Sequence, residues 1–173
     1  MFTIRDYDEG MDAHGVGLLI AETYSRFNLT FAPAEELPLF LGPFQHAGSD
    51  DAAHQQAIAQ AIRTSMVFVA EDEGGIVGVL RGRPGRLQSL FVSGSHHRRG
   101  IGRRLVERFE QESIRRRVTH VKVAATLFAV PFYLSLGYKR STGVRAGWSF
   151  EGRGLQYQPM RKALVKQVGG VPG

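Results

Sequence analysis

The chain has 173 residues, 43% of them hydrophobic and 22% charged, enough for one domain with a proper core and too few for two comfortable ones. It contains no cysteine, which excludes a disulfide framework and a thiolate nucleophile, and no stretch approaches the roughly 20 apolar residues that a membrane span requires. Lys and Arg number 22 against 16 Asp and Glu, a formal net charge of +6 that favours a polyanionic partner, either nucleic acid or a phosphorylated small molecule, and is silent on fold. The opening MFTIRDYDEG lacks a basic segment followed by an apolar run, so the expectation is a cytoplasmic protein, with room for a homodimer.

In chain order, residues 2–5 predict a short strand. Val16, Ile20, Tyr24 and Phe27 then recur at helical spacing. Residues 28–48 hold prolines at 33, 38 and 43 among several large apolar side chains, a loop or a broken helix. A second helix is expected to start at Ser49 or Asp50 as N-cap and to bury Ala57, Ile58, Ala61 and Ile62. The period then changes. Residues 66–70 and 76–80 predict strands joined by the turn EDEGG, and RGRPG leads into a third strand over 87–92. A helix is expected from Ile101 to about Arg117, with Ile101, Leu105, Val106 and Phe109 on one face.

A strand over 118–124 follows, then a short helix whose stripe is Ala129, Phe132, Tyr133 and Leu136, ended by Gly137 as C′ residue. Residues 138–150 and 155–164 read as two final strands. Residues 1–165 are expected to form a single domain, with 166–173 a frayed tail. One strand-helix-strand crossover among antiparallel runs predicts an α/β fold: a mixed, mostly antiparallel sheet with one right-handed parallel connection and helices on both faces.

The densest chemical signal is HHRRGIGRRL, residues 96–105. The chain leaves a strand at Val92, passes SGSHHRR and enters a helix at Gly-Ile-Gly. A helix start carries unpaired N–H groups and the positive end of the dipole, and so attracts phosphate. Glycine lets a ligand approach backbone where a Cβ would collide, and Arg98, Arg99, Arg103 and Arg104 add charge that can reach the same phosphates. The pattern is neither a dinucleotide fingerprint, since Leu105 stands where the third glycine belongs, nor a Walker loop, since no GKS or GKT follows. A solvated turn before a helix is the bland reading of the same residues.

The stretch LQSLFVSGSHHRRGIGRRLVERF resembles the core motif of the GNAT superfamily of acyl-CoA-dependent N-acetyltransferases. Leu90 and Val92 match its strand end, and Arg99, Gly100, Ile101 and Gly102 most of its turn, while His97 departs from the family's Gln or Arg. Downstream, ATLFAVPFYLSLGYKRS is similar to the family's second segment at Ala129, Pro131, Phe132, Tyr133, Leu136, Gly137 and Tyr138. The resemblance implies a GNAT-like fold in which the parallel strands splay apart. It implies acetyl-CoA as co-substrate, its pyrophosphate at residues 98–104 and its pantetheine arm along the backbone of Leu90, Phe91 and Val92. It further implies direct attack by an amine in a ternary complex, with no metal, and Tyr133 as the acid for the departing thiolate.

From its spacing alone Tyr133 reads as a core residue of its stripe; the resemblance favours the catalytic reading. Gln88 and Ser89 stand where many relatives place a carboxylate, and neither is a base at neutral pH; His46, His54 and His120 are unplaced. Adjacent His96 and His97, without cysteine, make a poor metal site, and Arg115, Arg116 and Arg117 suit the solvated end of a helix. Trp148 and residues 28–48 are candidates for the acceptor side, Trp148 serving equally well as a cover for the last hairpin. The competing functions are an acyl-CoA-binding regulator without turnover and a nucleic-acid-binding module. The latter is disfavoured because no base-reading module is recognisable.

Overall fold

The computed structural model describes residues 1–147 and 154–165. Among the described residues, eight strands form one sheet in the order β1-β2-β3-β4-β5-β8-β6, with β7 also paired to β8. β1 (Thr3–Asp6), β2 (Met66–Asp72), β3 (Gly75–Arg83) and β4 (Arg86–Val92) are antiparallel neighbours. β5 (His120–Thr126) runs parallel to β4, and β8 (Gln156–Ala163) antiparallel to β5. β6 (Lys139–Arg140) and β7 (Arg145–Ala146) pair with β8 on its other edge.

Over 138–147 the expected strand is two short pieces, and the rest of it, residues 148–150 with Trp148 among them, lies outside the described residues. The break has a local cause. Opposite it, Pro159 of β8 has no N–H to give the ladder; its carbonyl takes the Ser141 N–H at 3.0 Å, and Gln158 Nε2 donates to Thr142 O at 2.6 Å.

Helices cover both faces. On one, α1 (Glu9–Thr23), α2 (Leu37–Leu41) and α3 (Ala52–Ile62) pack Val16, Ile20, Ile58 and Ile62 onto Val69, Val79 and Phe91. On the other, α4 (Ile101–Arg115) and α5 (Val130–Ser135) bury Ile101, Leu105, Val106, Phe109 and Tyr133 against Phe68, Leu80, Leu87, Val121, Val123 and Met160. The stripe expected on α4 is the face it buries. Its helix stops at Arg115, where Arg117 takes a left-handed φ of 62°. The N-cap of α3 is Asp51, one residue beyond the expected pair. Its carboxylate accepts the Ala53 N–H at 2.8 Å, while Ser49 Oγ accepts the Asp51 N–H. Residues 28–48 form the broken helix, α2 flanked by single turns at Ala34–Glu36 and Gly42–His46, with Phe40 and Phe44 buried.

A charge network fastens α1 to the sheet edge. Asp12, only 3% exposed, accepts Arg5 Nη1 and Nη2 at 2.7 and 2.9 Å and the Asp8 N–H at 2.8 Å. Arg5 Nε donates to Glu71 at 2.8 Å. The hydrogen bonds from Arg5 hold the Asp12 carboxyl below the usual carboxylate range. A depressed folded-state pKa contributes stability that is present above the unfolded value near 3.9 and is lost as pH falls through the folded value. Asp12→Asn should cost on the order of 2 kcal/mol at pH 7. Chemical denaturation of both proteins from pH 7 down to pH 2 should show the gap closing below about pH 4; a gap independent of pH would remove charge from the account.

Candidate active site

The parallel pairing of β4 with β5 is confined to Arg86 with Lys122 and Leu87 with Val123. Beyond them the strands diverge. The register of β3 on β4 shifts between Arg81 and Gly82, a bulge that bends β4 where it leaves its parallel partner. Glycine is needed there, since a Cβ on Gly82 would stand 2.6 Å from Phe109 Cε2 and 2.8 Å from Arg86 O.

What β4 offers to the slot follows from register. The Ser93 N–H donates to Val77 O at 2.9 Å, so Val92 and its partner Gly78 are a non-hydrogen-bonded pair. The N–H and C=O of Val92 therefore point away from β3, as do those of Leu90 two residues earlier, while the Phe91 backbone is turned to β3. Phe91 contributes its ring, edge-on to Tyr24 at 5.9 Å. His97 reaches back across the turn, its Nε2–H donating to Val92 O at 2.8 Å.

At the mouth, Arg98 and Gly100 hold φ of 60° and 84° before α4 begins. No side chain caps the helix, and its first internal bond runs from the Arg104 N–H to Gly100 O at 3.0 Å. The N–H groups of Ile101, Gly102 and Arg103 thus lack an intrahelical acceptor. A cleft of about 590 Å³ opens in front of them, lined by Leu90, Phe91, Val92, Arg98, Gly100, Ile101, Gly102, Arg103 and Tyr133. Arg99 and Arg104, also expected here, are not in that lining. Arg99 Nη2 lies 3.4 Å from Asp72, which also meets His96 Nε2 at 3.3 Å. Gly102 has a packing reason as well, since a Cβ there would be 3.2 Å from the Phe132 ring.

Sequence reasoning missed the opposite wall. Phe27 lies between His97 and Phe128, with ring centroids 4.6 and 5.8 Å away. Asn28 Oδ1 is buried without a hydrogen-bond partner among the described residues. Helical spacing had assigned Phe27 to the core stripe of α1. Instead the helix widens at Tyr24–Asn28 into a π turn, closed by the Leu29 N–H on Tyr24 O at 3.1 Å, and Phe27 and Asn28 line the cleft.

A second cavity of about 580 Å³ continues from the first and shares Asn28, Leu90, Phe91, Thr126, Ala129 and Tyr133 with it. Tyr133 is set by the end of α5, a Schellman motif: the Tyr138 N–H donates to Tyr133 O and the Gly137 N–H to Leu134 O, both at 3.1 Å, with Gly137 at φ 88°. The apolar contact that accompanies such an end is Tyr133 on Tyr138, 5.4 Å between ring centroids. Tyr138 is anchored in turn, its hydroxyl donating at 2.9 Å to Glu110, which also takes Lys162 Nζ. Burial pushes the Tyr133 phenol above its ordinary value.

The far wall of this cavity holds Arg81, Ser89, Gln88 and Gln60. Arg81 donates to Ile62 O at 2.9 Å and to Ala61 O at 2.7 Å, and burial lowers its pKa to about 10, so it remains a cation at neutral pH. None of the described lining residues is Asp, Glu or His. His46 and His54 stack on each other at 3.9 Å, and His120 bonds Thr119; none of the three lines either cavity. No group of three or more His, Asp or Glu able to hold a metal occurs among the described residues, and no helix among them is long and apolar enough to cross a membrane.

A mixed sheet parted at its parallel pair, with a glycine turn and an uncapped helix start at the mouth, is the architecture of an acyl-CoA-dependent acetyltransferase. Residues 39–164 match the acetyltransferase (GNAT) domain family, and the chain belongs to that family. No curated protein matches. Among solved structures, the fold is similar to a GCN5-related N-acetyltransferase from Rhodopseudomonas palustris, with a TM-score of 0.73, 20% identity, and 94% and 95% of the two chains covered. It is similar to the PaiA N-acetyltransferase from Thermoplasma acidophilum in complex with coenzyme A, with a TM-score of 0.69, 14% identity, and 94% and 99% covered. An aminoglycoside 6'-N-acetyltransferase complexed with coenzyme A gives a TM-score of 0.60 at 16% identity, with 95% and 98% covered.

Because Gly137 sets where Tyr133 stands, its conformation is open to test. Gly137→Ala should lower stability by about 1–2 kcal/mol, the cost of a left-handed L-residue, since its Cβ would meet nothing closer than Lys162 Cε at 3.7 Å. Gly137→Asn should recover part of that. Equal thermal midpoints for the alanine and asparagine variants would show that something other than φ sets the cost.

Proposed function

We propose that the protein is an N-acetyltransferase that moves an acetyl group from acetyl-CoA to a primary amine by direct attack in a ternary complex. The observation that carries this reading is the unpaired edge of Leu90 and Val92 beside the uncapped start of α4, within one cleft. An extended arm with amides lies along such an edge as an added strand does, and a pyrophosphate suits free N–H groups at a helix start. Arg98 and Arg103 supply charge at that end. The orphaned Asn28 Oδ1 would accept an N–H from the same arm. For Val92 O to serve, His97 must turn aside.

The thioester would then lie where the two cavities meet, at Tyr133. The amine attacks the carbonyl carbon, a tetrahedral oxyanion forms, the C–S bond breaks and sulfur takes a proton. Tyr133, held neutral by burial, donates to the leaving sulfur and is reprotonated from solvent. With no carboxylate or histidine among the described residues lining the cavity, the amine proton leaves through water. The positive charges of Arg81 and Arg86 help, because a nearby cation favours the neutral form of an amine.

A regulator that binds acyl-CoA without turnover would share the cleft, and a thiol-release assay with a panel of amines separates the two. Calorimetry should show acetyl-CoA bound, with an Arg98→Ala/Arg103→Ala variant about tenfold weaker, ~1.4 kcal/mol, the loss shrinking as salt rises. An unchanged affinity would move the phosphate site elsewhere. Tyr133→Phe keeps the ring packing, and so should retain fold and acetyl-CoA affinity. Its kcat should fall about 100-fold, the low end for general acid catalysis, because water replaces part of the donation. A wild-type kcat in that variant would return Tyr133 to a packing role.

A further inference from the structure

The sheet face that α1 and α3 cover over β2, β3 and β4 is not covered by these helices beyond them, and four consecutive strands place a cation there at one register. Arg86 of β4 pairs with Lys122 of β5, Lys122 with Arg161 of β8, and Arg161 with Lys139 of β6. Directly paired residues share a face, their Cβ atoms about 5 Å apart, and like charges so placed repel. Arg140 and Arg145 also line the concavity of about 550 Å³ around this row, and none of its described lining residues is acidic. No ion pair joins these six cations to a described carboxylate, in a protein where Arg5, Arg63, Arg99, Arg108, Arg115, Arg116 and Lys162 all have one. A like-charge row of this kind is unfavourable in the free protein and is relieved by an anion.

The row is not isolated from the chemistry. Its concavity shares Arg86, Val123, Ala124 and Tyr157 with the cavity that holds Tyr133. Ser89, in that cavity, lies opposite Arg81 and Arg86 opposite Arg83, so the bulge brings the two within about two strand steps, roughly 7 Å. Resting on the acetyltransferase reading above, we infer that the acceptor is an amine bearing an anionic group, carboxylate or phosphate, at its remote end, and that the group docks on the row of Arg86, Lys122, Arg161 and Lys139. The same charges repel a polycationic acceptor of the aminoglycoside kind. The row thus selects substrate by charge at its remote end, leaving the amine end free for attack.

The test uses short peptides with a free N-terminus, identical except that the third and fourth positions are both glutamate, both glutamine or both lysine. A fourth peptide has phosphoserine at the third position. With acetyl-CoA and thiol release as readout, kcat/KM for the glutamate peptide should exceed the glutamine peptide about tenfold and the lysine peptide about 100-fold, through KM and less so at high salt. The phosphoserine peptide shows which anion is preferred. A Lys122→Gln/Arg161→Gln variant should bring the glutamate-to-glutamine ratio close to one and keep its calorimetric affinity for acetyl-CoA. Relieved of like-charge repulsion, it should also melt no lower than wild type.

Acetyl-CoA bound but anionic peptides accepted no faster than neutral ones, or a preference the double variant does not alter, would overturn the inference and leave the acetyltransferase reading standing. So would salt-sensitive binding of a single-stranded oligonucleotide that the double variant abolishes without changing acceptor choice. Failure to bind acetyl-CoA at all would instead sink the reading beneath it.

Discussion

Parallel strands normally zip along their shared length, because each residue left unpaired in a sheet interior strands a donor and an acceptor. Here β4 and β5 stop after Leu87 and Val123, and most of the molecule's particular form follows from that interruption. The bulge at Gly82 starts it by bending β4. α4 then has to bridge a gap rather than cover a continuous surface. Its N-terminus comes to the open end, while Leu105, Val106 and Phe109 hold the two half-sheets together from one side. The opened slot leaves the amides and carbonyls of Leu90 and Val92 wanting partners, and His97 supplies one of them. A ligand that enters as a strand completes what the fold leaves unfinished.

The second constraint is positional. Tyr133 occupies the third position from the end of α5, and the backbone bonds closed by Gly137 fix the turn on which it sits. Tyr138, Glu110 and Lys162 then tie that turn to α4 and β8. Three elements distant in sequence thus agree on the place of one phenol. Such over-determination is what a group needs if it is to meet a reacting atom within a few tenths of an ångström.

Features carried by short-range pattern were legible in the sequence: the buried stripe of α4, the Gly-Ile-Gly turn, and Gly137 as the residue ending α5. Each depends on contacts within a turn or two, and the resemblance to acetyltransferases drew on the same local segments. What was hidden depends on long-range register or on irregular backbone. Arg99 looks equivalent to Arg98 in the sequence, yet Asp72, 27 residues earlier on β2, draws it out of the cleft. Phe27 fits the spacing of Val16, Ile20 and Tyr24 perfectly, and no residue there announces a π turn. The cations of the sheet face are scattered from Arg86 to Arg161 and become a row only once β8 has inserted between β5 and β6.

The π turn at Tyr24–Asn28 has a consequence for how this chain can vary. One residue more than an α-helical turn is accommodated there, so everything after it is rotated by about 100° from the α1 register. A regular α-helix through the same residues would put Phe27 back on the stripe of Val16, Ile20 and Tyr24, turning it from the cleft toward the core. The straighter helix would be the sounder piece of architecture and the poorer wall for a ligand. Backbone geometry, more than composition, is what this segment cannot change freely. A substitution at Ser25 or Arg26, both outside the core, would be absorbed, whereas a regular helix over the same residues would remodel the mouth of the slot without touching a single residue of the glycine turn opposite.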